Sequence, residues 1–321
     1  MRRMIMNNLA VIDLGSNSCR LRITQIFANG QTKLLRYEKE YVRLSENMGP
    51  EHMLQEGSMQ RTIDTLKRYK EVCESLDVTL IAVATAAVRQ ATNQQLFLER
   101  VKKETGLKFH VISGDREAYL DYVGVSNTLP LENGLIMDTG GASMELILVD
   151  EGQAEELISL PIGSVLLSQN YHLNDQVDPA DLYDAIIKVD QVLAGQRWLN
   201  RARHTRVVAL GGSNRALAKM YRWKLNSNPN NVRSVHGLTI QTNDAYELMH
   251  ELLSTDRAGR SNIRGINSSR ADVIVGGLLP LMAILRQLNM QEVTFSNNGL
   301  REGLLFEYLN HHVDLEDLQE V

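Results

Sequence analysis

The 321-residue chain is long enough for two domains, each with a full core. A hydrophobic share of 43% is ordinary for a folded globular protein, and a net charge of −5 argues against general nucleic-acid binding. No stretch approaches the ~20 apolar residues of a membrane span. The Met1–Met6 start is cut short by Asn7, Asn8 and Asp13, too soon for a signal peptide. Cys19 and Cys73 read as reduced thiols of a soluble, cytoplasmic protein.

In chain order, Leu9–Ile12 is a short buried strand that runs into Asp13-Leu14-Gly15-Ser16-Asn17-Ser18. Arg20–Ile26 alternates polar and apolar residues, Asn29-Gly30 is a hairpin signal, and Thr32–Tyr37 supplies the returning strand. A helix is expected from Ser58, as N-cap, to Ser75, then a strand at Val78–Val83 and a helix from Asn93 to Thr105 closed by Gly106. Phe109–Ile112 reads as a strand, and a helix starts near Ser113-Gly114.

The next stretch echoes the first. Leu135-Ile136-Met137 carries Asp138 at its end, Gly140-Gly141-Ala142-Ser143 makes a turn, and Leu146–Val149 is a second apolar run behind Glu145. Adjacent glycines let amide N–H groups turn inward as a nest for an anion, although a plain hairpin would also use them. The Asp13 and Asp138 turns lie about 125 residues apart, which implies a duplicated domain with two phosphate loops facing across a cleft. A third strand follows at Glu155–Leu160, then helices at Ser164–Tyr171 and from Pro179 to about Asn200. Val207–Leu210 leads into Gly211-Gly212-Ser213-Asn214 and a helix to Trp223. Asn226–Asn231 reads as a polar loop, with helices at Asn243–Ser254 and Arg270–Asn289. The strand Glu292–Phe295, the loop Ser296–Gly299, a helix Leu300–Asn310 and a frayed acidic tail complete the pattern. Strands alternating with helices make mixed sheets with flanking helices. Four polar loops at strand ends would gather where ligands bind.

Between Gln191 and Thr242 there is no acidic residue, while Arg197, Arg201, Arg203, Arg206, Arg215, Lys219, Arg222, Lys224 and Arg233 fall in that span. A local positive surface for a polyanion is one reading; solvated basic helix faces are the other. The eight histidines show no metal-ligand spacing, and nothing places a base beside Cys19.

The stretches Ala10–Ser18, Val83–Arg89, Val111–Ala118, Met137–Glu145, Leu160–Ser164, Leu210–Ser213, Arg270–Ile274 and Gly299–Gly303, in this order, resemble the exopolyphosphatase / guanosine pentaphosphate phosphatase family of the actin-like ATPase superfold. The resemblance implies an α/β fold of duplicated actin-like (ribonuclease H-like) domains, with mixed five-stranded sheets and a cleft between them. It places the domains at 1–127 and 128–321, with the last helix returning to the first. It implies Glu117 as the base that deprotonates the attacking water. Asp138 and Glu145 become carboxylates that hold Mg²⁺ or another divalent cation, or position water. Asn17, Ser18, Arg89, Gly140, Gly141, Ala142, Ser143, Gly211, Gly212 and Ser213 become phosphate contacts.

The physics of phosphoryl hydrolysis agrees, since it needs an in-line water, a metal and donors for the equatorial charge. The expected activity is release of terminal phosphate from inorganic polyphosphate, with hydrolysis of the 5′-γ-phosphate of guanosine pentaphosphate as the alternative. An actin-like kinase and a non-enzymatic polyanion sensor rank below these. A homodimer is a further expectation, and neither nucleic acid nor a membrane is an expected partner. Ala142 stands where the family often has a third glycine, and Met144 where it often has threonine. Long members also carry an added all-helical region that in some helps hold long polymer; no match to it is read in these 321 residues, so processivity on long chains is not an expectation.

Overall fold

The structure is a computed structural model that describes residues 5–225 and 234–310. The loop expected at Asn226–Asn231, Arg233 and the acidic tail after His312 lie outside the described residues. The chain forms two compact units: residues before Ala118 together with those from Leu304 on, and Ala118–Gly303.

The first unit holds a five-stranded sheet of β1 (Ile5–Leu14), β2 (Cys19–Phe27), β3 (Thr32–Glu40), β4 (Val78–Ala84) and β5 (His110–Val111), in the order β3-β2-β1-β4-β5. Hairpins make β1–β2 and β2–β3 antiparallel, whereas β1–β4 and β4–β5 are parallel. Its helices are α1 (Glu56–Glu74), α2 (Ala86–Arg89) and α3 (Gln94–Thr105). Alternation along β1 sends Ala10, Ile12 and Leu14 into a core shared with Ile63 and Leu66 of α1 and with Phe97 and Val101 of α3. Helix α3 ends as expected at Gly106, which adopts φ +73°. Helix α1 begins before the expected Ser58 cap, with Gln55 at the cap position. The Ser58 hydroxyl is buried and donates back to the Gln55 carbonyl at 2.9 Å, so it serves the helix interior.

The second unit repeats the layout with β6 (Gly134–Thr139), β7 (Met144–Asp150), β8 (Gln153–Leu160), β9 (Arg206–Gly211), β10 (Thr239–Gln241) and β11 (Glu292–Phe295). The sheet order is β10-β11-β9-β6-β7-β8. The run β8-β7-β6-β9-β11 matches β3-β2-β1-β4-β5 strand for strand, with the same two antiparallel and two parallel pairings. The duplicated α/β fold is therefore present in both halves. Strand β10 adds a sixth member to a sheet expected to have five; at three residues it is too short to leave a periodic signal.

The remaining helices are α4 (Gly114–Ser126), α5 (Ser164–Asn170), α6 (Pro179–Ala194), α7 (Gly212–Leu225), α8 (Thr242–Leu253), α9 (Arg257–Asn262), α10 (Ile274–Gln287) and α11 (Leu300–Leu309). The unit boundaries fall inside α4 and α11. Both faces of the second sheet are covered, as its long apolar runs require. Leu135, Met137, Leu146 and Ala209 face a core built with α5, α6, α7 and α10. Ile136, Ile147, Val208 and Leu210 face Ala118 and Val125 of α4.

Helix α6 stops at Ala194 instead of running to Asn200, because the chain leaves the helical path at Gln196 (φ −103°, ψ 81°), after Gly195, before a 3₁₀ turn at Arg197–Ala202. Helix α10 is buried at every position from Ile274 to Leu285. Its glycines let neighbours approach the backbone: a Cβ on Gly276 would stand 2.5 Å from Ser168 Oγ, and one on Gly277 would stand 2.2 Å from Ser213 Oγ. The first residues of α5 and α7 thus rest directly on α10. Among the described residues, no helix is long and apolar enough to cross a membrane.

Candidate active site

In the first unit, β1 delivers Asp13 to the start of a turn that Gly15 closes by donating to the Ser18 carbonyl at 3.1 Å. Asp13 sits opposite Arg20 across the β1–β2 ladder and pairs with it at 3.0 Å. The carbonyls of Ser16 and Asn17 accept amides of Ser45 and Arg43, which fixes the turn from outside. Asn17 and Ser18 are both buried. The Asn17 amide nitrogen, Nδ2, is buried and has no partner among the described residues. A buried donor left open in this way calls for an acceptor that the described residues do not supply, and a phosphate oxygen is one.

Glu117 lies in the first turn of α4, which begins where Ser113 Oγ accepts the Arg116 amide at 3.1 Å. Arg89, at the end of α2, spends one guanidinium nitrogen on the Ile112 carbonyl at 2.8 Å and on Glu117 Oε2 at 3.1 Å. The structure therefore brings Arg89 to the carboxylate expected to act as base, where it orients that group. Arg116, one residue earlier, makes a two-pronged pair with Glu307 that anchors the start of the helix. Cys19 is fully buried beside the first turn; burial, and then the charge of Asp13, push its thiol far above the ordinary range. A thiol so protonated is no nucleophile.

In the second unit, Asp138 and Glu145 are directly opposed across the β6–β7 ladder, so both carboxylates leave the same face beside the Gly140–Ser143 turn. Glu145 is 1% exposed and accepts the Ser159 hydroxyl of β8 at 2.7 Å. Gly140 closes its own turn on the Ser143 carbonyl at 3.0 Å, and Ala142 and Ser143 are buried beneath it. The Gly140 and Gly141 carbonyls accept the amides of Ser164 and Val165 at 2.9 and 2.8 Å, which docks α5 against the turn. Gly211 adopts φ +95°, and a Cβ there would lie 2.4 Å from the Thr139 carbonyl and 2.9 Å from Asp138 Oδ1. Only glycine allows this strand end to press against Asp138. Ser213 is fully buried, and Arg270 lies over the same loop, 3.4 Å from Ser213 Oγ.

Mg²⁺ is ordinarily held by one or two carboxylates, with waters and substrate phosphates completing its shell. Among the described residues, no group of three or more His, Cys, Asp or Glu is placed to enclose a metal. Asp138 and Glu145, two adjacent hard oxygen donors, fit an open site of that kind.

Some expectations are redirected. The Ser296–Gly299 loop spends polar groups on itself, on capping α11 and on the Ser234–His236 stretch: Asn298 N–H donates to Ser296 Oγ, Gly299 N–H to Glu302, Leu300 N–H to Asp121, and Asn297 N–H and Nδ2 to His236 Nδ1 and Ser234 Oγ. Part of the basic span is neutralised locally, with Arg201 bound to Asp150 and Glu155 and Lys224 to Glu247. Ser159 and Arg270 carry no role in the sequence reading. Ser159 had a signal: it is the cross-strand neighbour of Glu145, but a bulge between Leu148 and Val149 shifts the register that the turn would predict.

Residues 23–312 match the model of the Ppx/GppA phosphatase family. The chain belongs to this family. This Ppx/GppA chain is 31% identical over 314 residues to a guanosine-5′-triphosphate,3′-diphosphate pyrophosphatase of Aeromonas salmonicida, covering 96% of this chain and 61% of that protein. It is 28% identical over 310 residues to a bifunctional 3-dehydroquinate synthase/phosphatase of Fusobacterium nucleatum subsp. nucleatum, covering 93% and 46% respectively. The chain thus spans about half to three-fifths of the length of these curated relatives. The crystal structure of an exopolyphosphatase from Cytophaga hutchinsonii superposes with a TM-score of 0.88 at 29% identity, covering 95% of this chain and 98% of that one.

Proposed function

We propose that this chain is a phosphoanhydride hydrolase that releases terminal phosphate from inorganic polyphosphate. The observation that carries the proposal is the ordered carboxylate of Glu117, held by Arg89 at the start of α4, in a chain of a phosphatase family. Glu117 takes a proton from water as the water oxygen attacks the terminal phosphorus, and the bridging P–O bond to the shortened chain breaks. In the first unit the open Nδ2 of Asn17 and Ser18, and in the second the amides of Gly141–Ser143 and of the Gly211–Ser213 turn, serve as donors to phosphate oxygens. Asp138 and Glu145 would hold Mg²⁺ or another divalent cation, which supplies positive charge to phosphate oxygens when bound.

Guanosine pentaphosphate is the second reading, favoured by the pyrophosphatase relative. The polymer comes first because the exopolyphosphatase structure matches over nearly its whole length. Unpaired Cys19 and Cys73 accord with work in a reducing, cytoplasmic compartment. The test is phosphate release from short polyphosphate, long polyphosphate, guanosine pentaphosphate and ATP, each with Mg²⁺ and with chelator. Metal-dependent release from the two polymers ahead of the nucleotides supports the first reading. Release confined to guanosine pentaphosphate replaces it with the second, and no release from any substrate refutes both.

A further inference from the structure

Arg260 is the largest fully buried side chain among the described residues, in a short helix, α9, that no sequence signal announced. Its partners are backbone carbonyls drawn from three separate stretches. Nε donates to Thr255 at 3.2 Å, Nη1 to Leu173 at 3.4 Å and to Ala271 at 3.1 Å, and Nη2 to Asp175. Burial works against the charge, while the fields of Asp175, Asp256 and Asp272 favour it.

What those carbonyls belong to gives the contact its meaning. Leu173 and Asp175 lie just beyond α5, whose first residues hold the Gly140 and Gly141 carbonyls. Ala271 follows Arg270, whose guanidinium lies against the other turn. A Cβ on Gly212 would stand 2.1 Å from Arg270 Nη2, and Arg270 Nη1 faces Ser213 Oγ. One planar cation therefore ties the segment that supports the Gly140–Ser143 turn to the segment that supports the Gly211–Ser213 turn. A lysine could not do this, because its single ammonium cannot reach carbonyls on several sides at once.

We infer that Arg260 is a positioning residue that holds both phosphate-type turns of the second unit in register. This rests on the reading of those turns as phosphate contacts. The bland alternative is a core arginine that staples loops for stability alone, which would lower the melting temperature and leave ligand binding untouched.

The experiment uses the full chain with Arg260→Lys, and with Arg260→Gln as a second variant should the first not fold. Amide exchange of Ser164 and Val165 reports the docking of α5 on the Gly140 turn without any activity. Calorimetric titration with tripolyphosphate reports ligand affinity. The expected result is a folded variant in which those two amides exchange roughly tenfold faster and the Kd rises roughly tenfold. Arg270→Met should weaken binding by itself, and adding Arg260→Lys to it should cost less than a further twofold or so, because the two act as one unit. Wild-type affinity in a folded Arg260 variant, whatever its exchange rate, or fully additive losses with Arg270→Met, would overturn the inference. Should the wild-type chain release no phosphate, the functional reading falls while the exchange and affinity measurements still decide the role of Arg260.

Discussion

Gly277→Ala is the most economical way to disturb the candidate site from beneath. The added Cβ would stand 2.2 Å from Ser213 Oγ, 2.7 Å from Ser213 Cβ and 2.8 Å from Ser164 Cβ. Carbon atoms pack comfortably at about 3.5–4.0 Å, so both serines must retreat by about 1 Å. Overpacking of this kind costs about 1–3 kcal/mol. The two serines open α5 and α7 beside the two glycine turns, so the retreat displaces the proposed phosphate donors. A misplacement of ~1 Å at a reacting centre can cost ~10²-fold in rate. Both tryptophans, Trp198 and Trp223, lie in the second unit, so tryptophan fluorescence in urea follows that unit specifically. The expected outcome is a lower urea midpoint and a kcat/KM for phosphate release down by ~10²-fold. Adding Ser213→Ala should recover part of the midpoint, since it removes the closest atom and leaves the two carbons. A wild-type midpoint together with wild-type kcat/KM would refute the account of α10 as the platform for both turns.

Two further outcomes are expected. Glu117→Gln should lower kcat by ~10²–10⁴-fold with little change in affinity for tripolyphosphate, measured by steady-state kinetics and calorimetry. Near-wild-type turnover would remove Glu117 from the role of base. Ser159→Ala takes away the hydroxyl that donates to the buried Glu145. The Mg²⁺ concentration for half-maximal activity should rise by roughly tenfold, as outer-shell partners of ligands commonly show. An unchanged Mg²⁺ dependence would place Glu145 outside the metal site.

The elements that carry their own punctuation were legible in the sequence. Gly106 closes α3, Pro179 opens α6, and the strand Glu292–Phe295 appears with the expected bounds. The echo of Asp138-Thr-Gly-Gly-Ala-Ser in Asp13-Leu-Gly-Ser-Asn-Ser foretold the repeated strand order. Short elements escaped: α9 has six residues and β10 three, too few for any period to show. In the candidate site, residue types at strand ends were readable because a turn confines them. Partnerships were not. Arg89 with Glu117, Ser159 with Glu145 and Arg260 with Leu173 each join residues far apart in sequence or across a bulge, and only tertiary packing decides them. The same packing claimed Ser296–Gly299, whose hydroxyl, glycine and amide groups suit a phosphate loop and a helix cap equally well.

The two cysteines offer a use unconnected with chemistry at the site. Cys19 in β2 and Cys73 in α1 are both buried and both belong to the first unit. Burial, aided by Glu38 and Glu74, pushes the Cys73 thiol up to about 11, and Cys19 lies higher still. Since the thiolate is the reactive form, neither should meet an alkylating reagent until the strands around it separate. The rate of thiol labelling then times the opening of the first unit, just as tryptophan emission follows the second. One unmodified chain thus carries a separate clock for each half of its duplicated fold.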